Sequence, residues 1–335
     1  MSLQEREIFF AAPDGARLAG TFLQPAGAGP FPALLFASGS GPQNRDEEIL
    51  GHPFFGDMAR WFGARGLASL RFDDRGVGAS EGDHAQSSVA QDVADLGAAL
   101  AFLKAQAGVD PRRIRLIGHS QGALTSALLA ARAQVEMVAA LAGPAEPMPG
   151  LIHRQARFAG REAGYSPEVL RHQQATNQAA FDVILRGGSR AETEALVLDH
   201  LLRWPGPPLG AREALAQTAA QMAEVLLSAP FASLLGVDMA EVWGGLNTPL
   251  IAFFGGRDQQ VPGFVNLRAL KARLPPRTPL KARVFPRLNH LFQEAKTGSV
   301  LEYAALGAAP APEVLEALER AFTDLAKPPP APRPA

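Results

Sequence analysis

The sequence lacks three features that would point to particular classes of protein. No cysteine occurs among its 335 residues, which excludes disulfide bonds, thiolate metal sites and a cysteine nucleophile. The formal net charge is only -1, so there is no electrostatic reason to expect a nucleic acid or an anionic membrane as a partner. No apolar run of about 18 residues could span a bilayer, and the charged start does not resemble a secretory signal. We therefore expect a soluble, cytoplasmic protein.

What the sequence does contain is enough apolar residues, 47%, to build a large core. An antiparallel hairpin is predicted to open the chain, with strands at 8–11 and 17–23 around the turn residues Pro13, Asp14 and Gly15. Short, continuous apolar runs predict further strands that are covered on both faces, at 33–37, 68–72, 114–117 and 249–254, with less distinct candidates at 135–141 and 282–285.

Helical patterns alternate with these predicted strands. The clearest follows a capping pair, Ser88 and Gln91, and places five apolar residues on one face: Val89, Val93, Leu96, Leu100 and Leu103. The last helix is predicted to begin near Pro312, with apolar residues at helical spacing: Val314, Leu318, Phe322 and Leu325. This alternation predicts an α/β fold, a mostly parallel sheet flanked by helices.

One connection is much longer than the crossovers of compact α/β units. Residues 144–247 separate two predicted strands and are rich in Ala, Leu, Gln and Glu, which predicts an insertion of several helices. Because it leaves the sheet at the end where ligands bind, we interpret it as a cap over an active site; the alternative is a separate helical bundle. The predicted domains are thus a core of 1–143 and 248–326, a cap of 144–247 and a disordered proline-rich tail of 327–335.

The segment GHSQG, residues 118–122, lies between a predicted strand and a predicted helix. A serine hydroxyl becomes nucleophilic when a sharp turn projects it toward a base, and that turn requires small flanking residues. Gly118 and Gly122 meet the requirement, so Ser120 is predicted to be a nucleophile. The alternative is an ordinary turn serine between glycines.

A base and an acid follow in the order that this kind of turn requires, serine, acid and then histidine. Asp258 follows a strand in the loop GGRDQQVP, and His290 lies in PRLNHLFQ after the next strand. We predict that His290 takes the serine proton while Asp258 fixes its tautomer. The other six histidines are predicted to be structural, solvated or located in the cap, with the His119 side chain pointing away from Ser120: His52, His84, His119, His153, His172 and His200.

An oxyanion hole requires two N–H donors near the nucleophile. The Gln121 N–H is one candidate, and the glycine-rich loop SGSGPQNRDE, residues 38–47, provides the other. We favour the N–H of Ser40, with Gly39 and Gly41 as alternatives; the same glycines would also fit a simple turn. The acids Asp73 and Asp74 precede the serine in the chain, so we expect them to bond the loop around Arg75 rather than to act as the triad acid.

Taken together, the segments GSGPQNRDE, RFDDRGVGAS, GHSQG, GGRDQQVP and LNHLFQ resemble bacterial α/β-hydrolases of the EstD-type carboxylesterase group, related to dienelactone hydrolases and prolyl-oligopeptidase-like peptidases. The resemblance implies an eight-stranded sheet, a helical cap after the sixth strand, no cofactor and no metal, and ester hydrolysis through an acyl-enzyme. One departure is Ser38, because many relatives begin the oxyanion loop with histidine and glycine.

The expected function is hydrolysis of carboxylic esters with small to medium acyl chains, with a small-molecule ester as the partner. A peptidase, amidase or thioesterase of the same fold is the alternative within enzymes. A binding protein that kept the fold without the chemistry is disfavoured by the presence of Ser120, Asp258 and His290. Haloalkane dehalogenase chemistry requires a carboxylate at the nucleophile position, where this chain has a hydroxyl.

Overall fold

The computed structural model describes residues 2–326, so the predicted tail at 327–335 lies outside the described residues. These residues form two compact units. The first runs up to Gly82 and also includes Asp92–Ala145 and the chain from Ala240 onward. The second combines Asp83–Gln91 with Glu146–Met239. The grouping differs from the predicted insertion of 144–247, because residues 144–145 and 240–247 belong to the first unit and residues 83–91 to the second.

The first unit contains an eight-stranded sheet. Its strands are β1 Leu3–Ala11, β2 Arg17–Pro25, β3 Phe31–Ala37, β6 Ala68–Phe72, β7 Val109–His119, β8 Met137–Leu141, β9 Leu250–Gly255 and β10 Leu280–Phe285. A separate two-stranded hairpin is formed by β4 Glu48–Ile49 and β5 His52–Pro53. The spatial order is β1-β2-β6-β3-β7-β8-β9-β10, in which only β2 runs antiparallel to its neighbours. The predicted fold class is confirmed.

Strands β8 and β9 are buried along their whole length, as their continuous apolar sequences predict for strands covered on both faces. The opening hairpin is also confirmed, with Gly15 at φ +92° in its turn. The structure adds the two-residue strands β4 and β5, which the sequence did not reveal. Between them, Leu50 adopts a positive φ of 51°.

The helices of both units complete the fold: α1 Phe54–Gly63, α2 Val89–Lys104, α3 Gln121–Ala130, α4 Met148–Glu162, α5 Pro167–Leu185, α6 Arg190–Leu202, α7 Arg212–Leu227, α8 Ala229–Leu235, α9 Met239–Gly244, α10 Gly263–Arg273 and α11 Pro312–Leu325. Helix α2 begins as predicted, with Ser88 accepting the N–H of Gln91 at 3.2 Å. Helix α11 buries Leu318 and Phe322 in one cluster with residues of α1 and the sheet. Each such side chain contributes about 1.5–3 kcal/mol by leaving water.

The second unit is helical and has a small apolar cluster of its own, formed by Phe181, Ile184 and Leu235. In the same unit the rings of His172 and His200 are stacked, with centroids 4.3 Å apart, and Trp204 packs edge-on against both rings. Whether this unit acts as a cap stays a prediction.

No single helix within residues 2–326 is long and apolar enough to cross a membrane; the bent pair α7 and α8 passes that test only when the two are taken together. Across the same residues, no group of three or more His, Asp or Glu side chains is arranged to hold a metal ion.

Candidate active site

The carboxyl ends of the parallel strands carry every residue that the sequence predicts for the site, as open α/β sheets generally do with their ligand-binding loops. Ser120 follows β7 and precedes α3, with φ 51° and ψ -119°, a backbone conformation that is rare for a residue with a side chain. Its N–H donates to Leu141 O at 2.9 Å, which ties the turn to β8. The serine thus lies at a strained strand-to-helix turn.

Two glycines make this turn sterically possible. A Cβ atom on Gly118 would lie 2.1 Å from the carbonyl oxygen of Gly122, and one on Gly122 would lie 1.9 Å from that of Ala37. Real Cβ atoms do not approach backbone oxygens so closely. The spacing of glycines around Ser120 is therefore a direct consequence of packing the start of α3 against the ends of β3 and β7.

Asp258 and His290 form a buried pair, 5% and 4% exposed. Nδ1 of His290 donates to Oδ2 of Asp258 at 2.8 Å. The other carboxylate oxygen, Oδ1, accepts the backbone N–H groups of Gln260 and Val261, each at 2.8 Å. Both carboxylate oxygens are therefore engaged, which fixes the orientation of the carboxylate relative to the imidazole ring.

The loop that carries His290 is held closed by a reciprocal pair of side chains, Asn289 and Gln293, both 0% exposed. The Gln293 N–H donates to Asn289 Oδ1 at 2.9 Å, and the Asn289 amide donates to Gln293 Oε1 at 3.0 Å. Gln293 also donates to the carbonyl oxygens of Tyr303 and Gly307.

Burial, followed by the nearby carboxylate of Asp258, raises the pKa of the Tyr303 phenol above its ordinary value.

The oxyanion loop, residues 38–47, contains three candidate N–H donors, and one of them is already bonded within the protein. The Gly39 N–H donates to Oε1 of Glu47 at 2.7 Å, so it is not directed at a substrate. Among residues 2–326, the N–H groups of Ser40 and Gln121 donate to no protein acceptor. Ser40 and Gln121 thus stay the predicted pair of donors, with Gly41 as the remaining alternative.

The support behind this loop comes from two acids that follow β6. Asp74 accepts the Ser38 hydroxyl at 2.7 Å and the Gln43 N–H at 2.9 Å, so it bonds both ends of the loop segment 38–43. Asp73 accepts both the backbone N–H and the guanidinium of Arg45. Burial raises the pKa of Asp74 to about 8, against the opposing bond from Ser38.

These bonds differ from the sequence-based expectation for Asp73 and Asp74. Asp73 does contact the Arg75 loop, through the N–H of Ala79 at 3.3 Å. Most of the contacts of both acids, however, lie in the oxyanion loop. Arg75 instead forms ion pairs with Asp14 and Asp95, at 2.8 Å and 2.5 Å.

A cavity of about 240 Å³ lies over these residues, entirely within the first unit. Ser120, His290 and Ser40 line it together, whereas Asp258 lies behind His290. Apolar side chains form part of its remaining wall, Ile49, Leu50, Leu291 and Val300, beside the polar residues Gln43, Glu47, His119, Gln260 and Tyr303. Leu50 is 57% exposed at the turn of the β4–β5 hairpin, so the apolar wall extends to the surface.

Sequence reasoning missed one residue that is central to the geometry, Glu47. Its side chain is 0% exposed and contacts His119, which the sequence analysis predicted to be structural. The only sequence signal was the position of Glu47 at the end of the oxyanion loop, which did not distinguish it from its acidic neighbours Asp46 and Glu48.

A family model described as serine aminopeptidase S33 matches residues 53–238, more than half of the chain. The chain belongs to this family. As a member of this α/β-hydrolase family it is also similar to Esterase EstD of Thermotoga maritima, at 30% identity over 295 residues. That match covers 87% of this chain and 62% of the esterase, so the chain spans less than two thirds of that relative.

Solved structures place the fold of this family member among α/β-hydrolases. The α/β-hydrolase GrgF of a Penicillium species has a TM-score of 0.59 at 18% identity, covering 96% of this chain and 99% of that one. An esterase of Pyrococcus furiosus also has a TM-score of 0.59, at 15% identity, covering 97% and 92% of the two chains. At such identities the likeness concerns the fold alone.

Proposed function

We propose that this α/β-hydrolase is a carboxylesterase that forms an acyl-enzyme on Ser120. The observation that carries the proposal is the shared cavity of Ser120 and His290, with His290 bonded to Asp258 at 2.8 Å behind it. A nucleophile at a strained turn, a base beside it and an acid that orients the base are the three parts that acyl transfer requires. The likeness to an esterase supports the choice of substrate bond.

In this mechanism, Ser120 Oγ attacks the ester carbonyl carbon while Nε2 of His290 takes the hydroxyl proton. The carbonyl oxygen becomes an oxyanion, which the N–H groups of Gln121 and Ser40 stabilise; one such donor is worth about 100-fold or more in rate. His290 returns its proton to the departing alcohol, and an acyl-enzyme remains. Water then attacks the acyl carbonyl with His290 as base, and the carboxylic acid leaves as Ser120 regains its proton.

The cavity indicates the size of the acyl or alcohol group. Its volume of about 240 Å³ is smaller than the roughly 300–1,000 Å³ of pockets for drug-sized ligands. Its side walls offer apolar contacts from Ile49, Leu50, Leu291 and Val300. The one carboxylate that lines it, Glu47, bonds His119 and Gly39 through Oε1, and although Oε2 has no partner within residues 2–326, the side chain is 0% exposed and so does not reach a substrate ammonium group. We therefore propose uncharged esters of small to medium acyl chain as substrates.

An aminopeptidase is the second candidate, and the description of the family favours it. The two candidates differ in what the cavity must recognise, because an aminopeptidase binds a charged amine at the substrate terminus. Comparison of an aminoacyl anilide with the matching aminoacyl ester separates them. Faster turnover of the anilide would favour the peptidase.

A series of p-nitrophenyl esters from acetate to decanoate tests the proposal on wild type and Ser120→Ala. Wild type is expected to hydrolyse the shorter esters fastest, and Ser120→Ala to lose about 10⁴-fold or more in kcat. Ser126→Ala is a matched control, because Ser126 lies on α3 and its buried hydroxyl has no partner within residues 2–326. Unchanged turnover by a folded Ser120→Ala would refute the assignment of the nucleophile.

A further inference from the structure

Glu47 and His119 form a second buried acid–histidine pair that the proposed mechanism does not use. Oε1 of Glu47 and Nδ1 of His119 are 2.8 Å apart, and the two side chains are 0% and 1% exposed. They are 72 residues apart in sequence. Burial of two ionisable groups is unfavourable unless they are paired and hydrogen-bonded, so such a pair requires a structural or functional reason.

The pair connects three segments of the candidate site. Besides His119, Glu47 Oε1 accepts the N–H of Gly39, at 2.7 Å, at the start of the oxyanion loop. His119 itself precedes Ser120, and its Nε2 bonds the carbonyl oxygen of His290 at 3.0 Å. One chain of hydrogen bonds thus runs from the oxyanion loop, through the residue before the nucleophile, to the backbone of the base.

The partners of His119 also define its protonation. Both ring nitrogens face acceptors, a carboxylate and a carbonyl oxygen, an arrangement that favours a proton on each nitrogen and therefore a positive charge. Burial disfavours that charge, but the carboxylate of Glu47 outweighs it, and the pKa of His119 lies above its ordinary value. The ring packs between those of Phe54 and His290, with centroids 4.7 Å from each.

We propose that Glu47 and His119 are positioning residues that hold the oxyanion loop and the His290 loop in register with Ser120. The inference rests on the proposed function, because it assigns these two residues a role in that reaction. Neither side chain reacts with the substrate. The bond from Gly39 to Glu47 fixes the backbone just before Ser40 and so orients the Ser40 N–H. The bond from His119 fixes the position of the His290 backbone relative to Ser120.

Loss of the pair is expected to lower kcat rather than to raise KM. A displacement of about 1 Å in a catalytic group can reduce the rate roughly 100-fold, so a fall of about 10- to 100-fold in kcat is expected. Glu47 and His119 line the cavity, but they are only 0% and 1% exposed, so the surface offered to a substrate changes little and KM should stay within about twofold.

The test variant is Glu47→Met/His119→Phe, because replacing a buried ion pair by apolar residues of similar volume often preserves folding. The phenylalanine can pack between Phe54 and His290 but donates no hydrogen bond. The variant Glu47→Gln keeps an acceptor for Gly39 but removes the negative charge that favours the doubly protonated His119, so its kcat should lie between those of wild type and the double variant. Arg115→Met/Glu136→Met is the matched control, a pair at 2.6 Å whose arginine lies on the same strand as His119 and does not line the cavity.

Each enzyme is assayed with p-nitrophenyl butyrate and by the rate at which a fluorophosphonate labels Ser120, with thermal melting to confirm folding. The proposal predicts the slowest turnover and labelling for Glu47→Met/His119→Phe, and wild-type rates for the Arg115→Met/Glu136→Met control. A folded double variant with kcat within about threefold of wild type, or with a changed KM alone, would overturn it, as would a Glu47→Gln as slow as the double variant. A wild type that neither turns over nor labels would instead refute the proposed function.

Discussion

Replacement of Asp258 by asparagine tests how the tautomer of His290 is set. The carboxylate accepts two backbone N–H groups at Oδ1, from Gln260 and Val261, and the Nδ1 proton of His290 at Oδ2. Asparagine has one acceptor oxygen and one NH₂ donor in place of these two acceptors. The amide oxygen must face the two backbone donors, because an NH₂ group there would meet two N–H groups.

The NH₂ group of the introduced asparagine then points at Nδ1 of His290 and donates to it. The imidazole proton moves to Nε2, the nitrogen that must take the proton of Ser120, and the base is lost. A wrong tautomer of this kind lowers kcat by about 10⁴-fold, or roughly 5 kcal/mol of transition-state stabilisation. Stability should fall by no more than about 2 kcal/mol, because the number of hydrogen bonds is preserved.

The assay is kcat and KM for p-nitrophenyl butyrate, together with the thermal unfolding midpoint. Asp110→Asn is the matched control, because Asp110 also accepts a backbone N–H two residues on, from Arg112 at 3.0 Å, and lies near the start of β7. Its kcat should equal that of wild type. A folded Asp258→Asn enzyme whose kcat stays within about tenfold of wild type would refute the assignment of Asp258 as the residue that orients His290.

Two further predictions concern stability. Gly122→Ala should destabilise the protein by about 3 kcal/mol or more, since its Cβ would lie 1.9 Å from Ala37 O. The control Gly97→Ala, on α2, makes only ordinary contacts, so its thermal midpoint should equal or exceed that of wild type. Equal midpoints for the two variants would contradict this prediction. Asp74 has a folded-state pKa of about 8, above its ordinary value of 3.8, so the folded protein keeps a proton that the unfolded chain releases, and stability is lost as pH rises between these values. The thermal unfolding midpoint of wild type should therefore fall relative to that of Asp74→Asn by about 2 °C or more between about pH 5 and about pH 8. A difference between the two midpoints that does not depend on pH would show that the pKa of Asp74 is not raised.

Local physical constraints explain why much of the fold was predictable. Strands β8 and β9 are buried on both faces, so their sequences contain apolar residues without interruption, and that pattern is visible along the chain. The turn at Ser120 is local in part, because the backbone atoms of Gly122 and Ala123 exclude a Cβ at Gly118, whereas distant Ala37 excludes one at Gly122. The glycines had to be within a few residues of the serine.

Pairs that join distant segments were not predictable in the same way. Glu47 and His119 are 72 residues apart, and Ser38 and Asp74 are 36 apart, so no local pattern indicates which acid meets which partner. The same holds for the two units, since residues 83–91 join the helical unit although 146–239 follow much later in the chain. Such contacts depend on how the strands are ordered in the sheet.

By itself, the sequence determined the α/β class, the strained turn at Ser120 and the loops that carry Asp258 and His290, because each is set by residues close together in the chain. Only the tertiary structure decided that Gly39 is engaged by Glu47, that Ser38 is bonded to Asp74 and that His119 contacts the backbone of His290. Those bonds form where separate strands bring their carboxyl ends to one edge of the sheet. The sequence of any one segment does not indicate which distant segment it will contact at that edge.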